Sequence, residues 1–173
     1  MPKPGTPLLI VFGGLPGTGK TTIARELSRR LGATYVRIDA IEQSLRAAGL
    51  AVGEMGYVIA NAIAAENLKL DRIVIADCVN PVLASRRGWR DMASKNSARL
   101  VEIEIICSDA AVHRQRVESR LPDISGLVLP SWDKVVNRSY EPWDRERLVL
   151  DTAADPIDRL VDRIEELVRD KES

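Results

Sequence analysis

The most constraining stretch of this chain runs from Leu8 to Leu31. It begins as five consecutive apolar residues, Leu8-Leu9-Ile10-Val11-Phe12, which read as a strand buried on both faces. Gly13-Gly14-Leu15-Pro16-Gly17-Thr18-Gly19-Lys20-Thr21-Thr22 follows, and Gly14, Gly19, Lys20 and Thr21 match the spacing G-x-x-x-x-G-K-[ST]. Ile23, Leu27 and Leu31 then repeat every four residues, so a helix follows, and Gly32 suits its C-terminal cap. Glycines let such a loop curl until its backbone N–H groups converge on one point, where side chains would block an approaching anion. The first turn of the helix adds unpaired N–H groups and the positive end of the helix dipole. The residue types therefore predict a phosphate cradle formed by Gly14, Leu15, Pro16, Gly17, Thr18, Gly19, Lys20, Thr21 and Thr22. Lys20 is expected on the β- and γ-phosphates of a nucleoside triphosphate, and the Thr21 hydroxyl on Mg²⁺.

The rest of the chain repeats the alternation. Apolar strands are expected at 34–38, ending at Asp39, at 72–76, ending at Asp77, and at 100–106 and 148–150. Helical spacing occupies the intervals, with Met55, Val58, Ile59, Ala62 and Ile63 as the apolar positions of one helix. The last helix is capped by Asp155, opened by Pro156 and striped by Ile157, Leu160, Val161, Ile164, Leu167 and Val168. Strictly alternating strands and helices imply an α/β fold, a parallel sheet with helices on both faces, and a ligand at the carboxyl ends of the strands. A length of 173 residues suits a single domain.

Composition narrows the function. Lysine and arginine total 25, as do aspartate and glutamate, and this balance argues against a nucleic-acid partner, which needs a basic excess. No apolar run approaches the ~18 residues of a membrane span, so no membrane partner is expected. The proline-rich lead over 1–7 does not read as a signal sequence. Cys78 and Cys107 lie at strand ends and read as reduced, buried thiols of a cytoplasmic protein. With His113 they cannot make a four-ligand zinc site, and His113 reads as packed or solvated.

Arg116 and Arg120 are four residues apart, hence on one helix face, and a Pro/Gly-interrupted segment with Pro122, Gly126 and Pro130 follows. The pattern fits a lid over about 116–135 that carries arginines to a bound nucleotide. Arg120 is then expected on the transferring phosphate and Arg116 against adenine. The alternative is a solvated face paired with Glu118. Arg86 and Arg90 share a face and suit either an anionic or hydroxyl-rich acceptor or solvent. Trp89, Trp132, Tyr140 and Trp143 suit a pocket wall or, more simply, core and lid packing.

With these pieces in place, the chain resembles the P-loop small-molecule kinases of the nucleoside-kinase-like group. It is most similar to their AAA-type, adenylylsulfate-kinase-like branch, near gluconate kinase, chloramphenicol phosphotransferase and zeta toxin. Gly14 to Thr21 carry the resemblance, together with Ile38-Asp39 and the Arg116 to Arg120 spacing. It implies a five-stranded sheet in the order 2-3-1-4-5, ATP with Mg²⁺, and transfer of the γ-phosphate to a hydroxyl of a small molecule. In that sheet Asp77 would stand beside the loop as the metal-side carboxylate. Asp39, one strand further out, would orient or deprotonate the acceptor; the alternative for both is helix capping.

Arg37-Ile38-Asp39-Ala40-Ile41-Glu42 departs from the D-G-D-N-x-R of adenylylsulfate kinases and from the D-x-D of shikimate kinases. A regulatory NTPase and a zeta-toxin-like kinase are the competing readings. A GTPase would need N-K-x-D, which is absent, and Asp123-Ile124-Ser125-Gly126 imitates its D-x-x-G switch only at the wrong place. Monomer and homodimer are equally compatible with the sequence.

Overall fold

A period of two in the first strand sorts its side chains to opposite sides of a sheet. In the computed structural model, which describes residues 7–170, Leu8, Ile10 and Phe12 enter one core and Leu9 and Val11 the other. Except for Pro7, the proline-rich lead lies outside the described residues. The strands are β1 (Leu8–Gly13), β2 (Thr34–Arg37), β3 (Ile73–Asp77), β4 (Arg99–Ile106) and β5 (Leu148–Asp151). All pair in parallel, in the order β2-β3-β1-β4-β5.

The helices are α1 (Lys20–Leu31), α2 (Ile38–Ala47), α3 (Met55–Leu68), α4 (Leu83–Lys95), α5 (Ala110–Ser119), α6 (Trp132–Val136) and α7 (Ile157–Asp170). Ile23, Ala24 and Leu27 of α1 meet Leu160, Val161, Ile164 and Val168 of α7 on one face. Ala60, Ala64 and Leu68 of α3 and Trp89, Met92 and Ala93 of α4 cover the other. Each fully buried branched side chain contributes about 1.5–3 kcal/mol, so the two cores are the main adhesive of the fold. Among the described residues no helix is long and apolar enough to cross a membrane.

β1 is hydrogen-bonded to β3 on one side and β4 on the other, with Leu8 opposite both Ile73 and Arg99. The connections diverge from β1, so a crevice opens beyond its carboxyl end, where such sheets bind ligands. That arrangement sets the loop after β1 next to Asp77, the last residue of β3.

Three expectations from the sequence are corrected. β2 stops at Arg37, which pairs in register with Asp77, and α2 starts at Ile38 because that side chain is needed in the core. Asp39 is therefore in the first turn of a helix, not at a strand end. In α3 the small residues Gly56, Ala60 and Ala64 face inward, while Met55, Val58 and Ile63 are 45%, 55% and 40% exposed. Close approach explains the inversion: a Cβ on Gly56 would lie 2.6 Å from Glu42 Cγ of α2. Finally, α5 ends at Ser119, and Arg120 has extended backbone with ψ 142°, so it leaves the helix face on which Arg116 remains. Leu121 follows it out and is 86% exposed.

Candidate active site

The loop from Gly13 to Lys20 is shaped by its surroundings as much as by its glycines. Gly17 has φ +83°, and a Cβ there would lie 2.5 Å from Val117 Cγ2 of α5. At Gly14, with φ +134°, a Cβ would lie 2.2 Å from the Ile105 carbonyl oxygen. Only glycine satisfies both the conformation and the space. The resulting concavity opens onto a cleft of about 910 Å³.

Lys20, the first residue of α1, lines this cleft while only 7% exposed, and its Nζ donates to the Leu15 carbonyl at 2.8 Å. Burial lowers its pKa to about 8, against the opposing pull of Asp77 and Asp39. A buried ammonium with a single carbonyl partner at the start of a helix is chemically suited to an anion. Thr21 donates its hydroxyl to Asp77 Oδ2 at 2.7 Å, and Tyr35 donates to the same oxygen at 2.7 Å. Burial and the Asp77 carboxylate push the Tyr35 phenol well above its ordinary range, so it remains a donor. Thr21 and Asp77 thus set a hydroxyl and a carboxylate side by side at the cleft floor, the oxygen-only set that hard cations such as Mg²⁺ prefer.

Asp39 reaches the cleft from α2 and is 3.6 Å from Arg37. Arg37 also grips Asp123 of the 120–131 segment through two hydrogen bonds, 2.6 and 3.1 Å long, and lies 3.8 Å from Asp77. Arg25 adds a 2.7 Å contact to Asp123, and the two guanidinium groups, Arg37 foremost, hold that carboxyl at a pKa of about 2. Arg120 lines the same space. Burial, and secondarily the nearby Arg37, lowers its pKa, while Asp39 acts in the opposite sense.

Arg116 lines the cleft too, but its edge is occupied: it donates to Thr152 Oγ1 at 2.7 Å and to the Thr152 carbonyl at 3.1 Å. The Thr152 hydroxyl in turn donates to the Thr18 carbonyl at 2.7 Å. His113 Nε2 is 2.8 Å from the Pro16 carbonyl, which can only accept, so that nitrogen carries the proton. Trp132 meets His113 edge-on, with centroids 5.1 Å apart. His113 is indeed packed, and with Thr152 it braces the glycine loop from behind.

Sequence reasoning did not single out Thr152, Tyr35, Arg37 or Tyr57. Thr152 had a signal, since it follows a strand at its carboxyl end. Tyr35 had none, because its ring simply continues the apolar face of β2.

Neither suggestion for Arg86 holds. Its guanidinium is fully buried, away from the cleft, and donates to the carbonyls of Asn80, Pro81, Glu141 and Pro142. It stacks 4.2 Å from the Trp143 ring. Arg90 is likewise occupied, by Glu102 at 3.0 Å and Asp144 at 2.9 Å. Trp89, Trp132 and Trp143 are packing residues rather than cleft walls. Cys78 and Cys107 are free, the first buried and the second partly so. Burial, with Asp77 adjacent, pushes the Cys78 thiol far up, which makes it inert.

Fold and loop together define a P-loop protein. Within that class the chain belongs to the AAA domain family, whose model matches residues 9–134. It is 32% identical over 99 residues to an uncharacterized protein of Mycobacterium tuberculosis, a match covering 53% of this chain. The match spans about a fifth (20%) of the length of that curated relative. A proposed kinase from Chloroflexus aurantiacus superposes with a TM-score of 0.75 at 20% identity, over 96% of this chain and 98% of that one. The Mycobacterium tuberculosis APS kinase CysC, in complex with AMPPNP and APS, gives a TM-score of 0.69 at 15% identity over 96% and 99%. At these identities the structural likenesses establish the fold.

Proposed function

We propose that the protein is an ATP- and Mg²⁺-dependent kinase that moves the γ-phosphoryl group of ATP to a hydroxyl of a small molecule. One observation carries the reading. Glycine-loop residues, Lys20, the Thr21–Asp77 pair, Asp39 and Arg120 all line a single cleft of about 910 Å³, a volume that suits two small ligands together. The APS kinase neighbour, whose complex holds a nucleotide analogue and an acceptor together, supports the same reading.

Lys20 and the loop N–H groups bind the β- and γ-phosphates, and Arg116, with its edge fixed by Thr152, offers a flat face to the base. Thr21 and Asp77 are the residues that would hold Mg²⁺, which neutralises phosphate charge when bound. Asp39 accepts the proton of the acceptor hydroxyl as its oxygen bonds to the γ-phosphorus and the bond from phosphorus to the bridging oxygen breaks. Arg120, brought in by a lid over about 116–135, meets the charge of the transferring group. The small-molecule acceptor needs no nucleic-acid track, in keeping with the zero net charge.

The test couples ADP release to a panel of sugars, sugar acids, nucleosides and hydroxylated antibiotics. Asp39→Asn should lower acceptor-dependent turnover by about 10²-fold or more, the usual range for loss of a general base, with nucleotide affinity unchanged. Undiminished turnover would remove Asp39 from the chemistry. Failure of the wild-type protein to bind ATP in a titration with Mg²⁺ would end the kinase reading.

A further inference from the structure

The charge inventory of the cleft is lopsided although that of the chain is not. Lysine plus arginine equal aspartate plus glutamate at 25 each, yet the cleft is lined by seven cationic side chains and three carboxylates. Four of the cations are engaged within the protein. Lys20 donates to Leu15, Arg37 pairs with Asp123, Arg46 with Glu42 at 3.0 Å, and Arg116 is held by Thr152. The other three, Arg120, Lys134 and Arg138, line the cleft with no carboxylate within 4.0 Å among the described residues.

A magnesium-bound nucleoside triphosphate brings a net charge of about −2 at neutral pH, since about −2 on the terminal phosphate and about −1 on each inner one are offset by +2 from the metal. Set against the excess of four cations in the lining, or three once Asp123 is counted against Arg37, it leaves a positive remainder. The location of that remainder matters more than its size. Arg120 stands near Lys20 and Asp39, the transfer end of the cleft, where it perturbs the one and is perturbed by the other. Lys134 is on α6 and Arg138 lies two residues beyond its end, and both line the cleft. The turn is anchored by the fully buried Val135 and by the Arg138 N–H bonded to the Val135 carbonyl.

Arg138 acts electrostatically on Tyr57 of α3, which lines the same cleft. The Tyr57 hydroxyl accepts from the Asn80 N–H at 3.0 Å and stands beside the buried Cys78 thiol. Leu127 and Leu129 add apolar surface to the cleft lining, which lowers the local dielectric and strengthens any ion pair formed there. Two cations without carboxylate partners, the Tyr57 phenol and an apolar cover therefore line one cleft.

We infer that the hydroxyl-bearing acceptor is an anion, carrying a carboxylate, phosphate or sulfate group, and that Lys134 and Arg138 bind that group beside Tyr57. The inference deepens the kinase reading and rests on it. Lys134 and Arg138 are positioning residues for the acceptor and take no part in the bonds that form and break. Neutral polyols lack the group these side chains address, and cationic acceptors such as amino sugars are repelled by them.

The experiment uses the full chain saturated with Mg²⁺ and AMP-PNP, so that the phosphate cradle is filled, and inorganic sulfate as the probe, followed by calorimetric titration. Wild-type protein should bind sulfate, and Lys134→Gln/Arg138→Gln should weaken it at least tenfold while AMP-PNP affinity stays within twofold. Both side chains are exposed, so the variant should fold, and circular dichroism with the AMP-PNP titration checks that it does. In parallel, ADP release is compared for gluconate, its neutral analogue glucitol and cationic glucosamine, with any turnover expected for the acid first.

Sulfate affinity equal in the two proteins, or no sulfate binding to the loaded wild type, would overturn the anionic acceptor. So would preferential turnover of the neutral or cationic sugar. A protein that takes up no AMP-PNP at all would instead overturn the kinase reading, so the two failures are separable.

Discussion

Lys20→Met should make the nucleotide-free protein more stable, although it removes the residue proposed to bind phosphate. The reason is the cost of holding an ammonium group at 7% exposure with one carbonyl partner. Its pKa falls from 10.5 to about 8 on folding. A drop of that size corresponds to about 3 kcal/mol of destabilisation when the group is protonated in both states.

At pH 7 the whole cost is present. As pH rises through about 8, the folded protein loses the proton while the unfolded chain keeps its own up to 10.5, so wild-type stability rises over that window. Methionine fills similar volume without charge. It forfeits one hydrogen bond of about 1 kcal/mol, in part recovered by water at the freed carbonyl. The net gain is then about 1–3 kcal/mol, or about 3–9 °C in melting temperature for a chain of this size.

Scanning calorimetry in anion-poor buffers from pH 7 to 10 should show the variant melting higher at pH 7 and the gap closing by pH 10. Added ATP should reverse the order by raising only the wild-type transition. A variant that melts at or below the wild type at pH 7, or a gap that ignores pH, would refute the claim that Lys20 is held charged against its burial.

Two further perturbations probe the frame of the site. Gly17→Ala meets both φ +83° and a contact of 2.5 Å with Val117 Cγ2, so it should cost about 2–4 kcal/mol in urea denaturation. Adding Val117→Ala should recover the part due to the clash and leave the backbone part, and full recovery would show that φ is not limiting. Asp123→Asn should lower stability by no more than about 1 kcal/mol at pH 7, because its carboxylate is 40% exposed and solvent screens it. Its depressed pKa means that this contribution is present above 3.8 and lost as pH falls through about 2, so the difference between the proteins should fade across that range. Hydrogen exchange over 121–130 should quicken in the variant, and unchanged exchange would mean that Arg37 and Arg25 do not hold the segment.

The glycine loop, its flanking strand and helix, the alternating pattern and the α7 stripe were all legible in the sequence. Each depends on contacts within a few residues or on a periodicity that the chain itself displays: a buried strand must be apolar, and a loop with φ near +83° must carry glycine. Asp77 was legible for the same reason, as a carboxylate ending an apolar run. What stayed hidden were the choices made between distant segments. Whether Met55, Val58 and Ile63 or the small residues of α3 face the sheet depends on how closely α2 approaches Gly56. Whether Arg86 meets a ligand or four backbone carbonyls depends on where residues 141–142 come to lie.

The same holds for Arg37 with Asp123, Thr152 with Thr18 and His113 with Pro16, partners 86, 134 and 97 residues apart. Hydrophobic order is written along the chain because burial acts on every apolar residue alike. The pairing of polar groups waits for the tertiary structure, because a hydrogen bond needs a particular partner at about 3 Å, and only the folded chain sets which one arrives there.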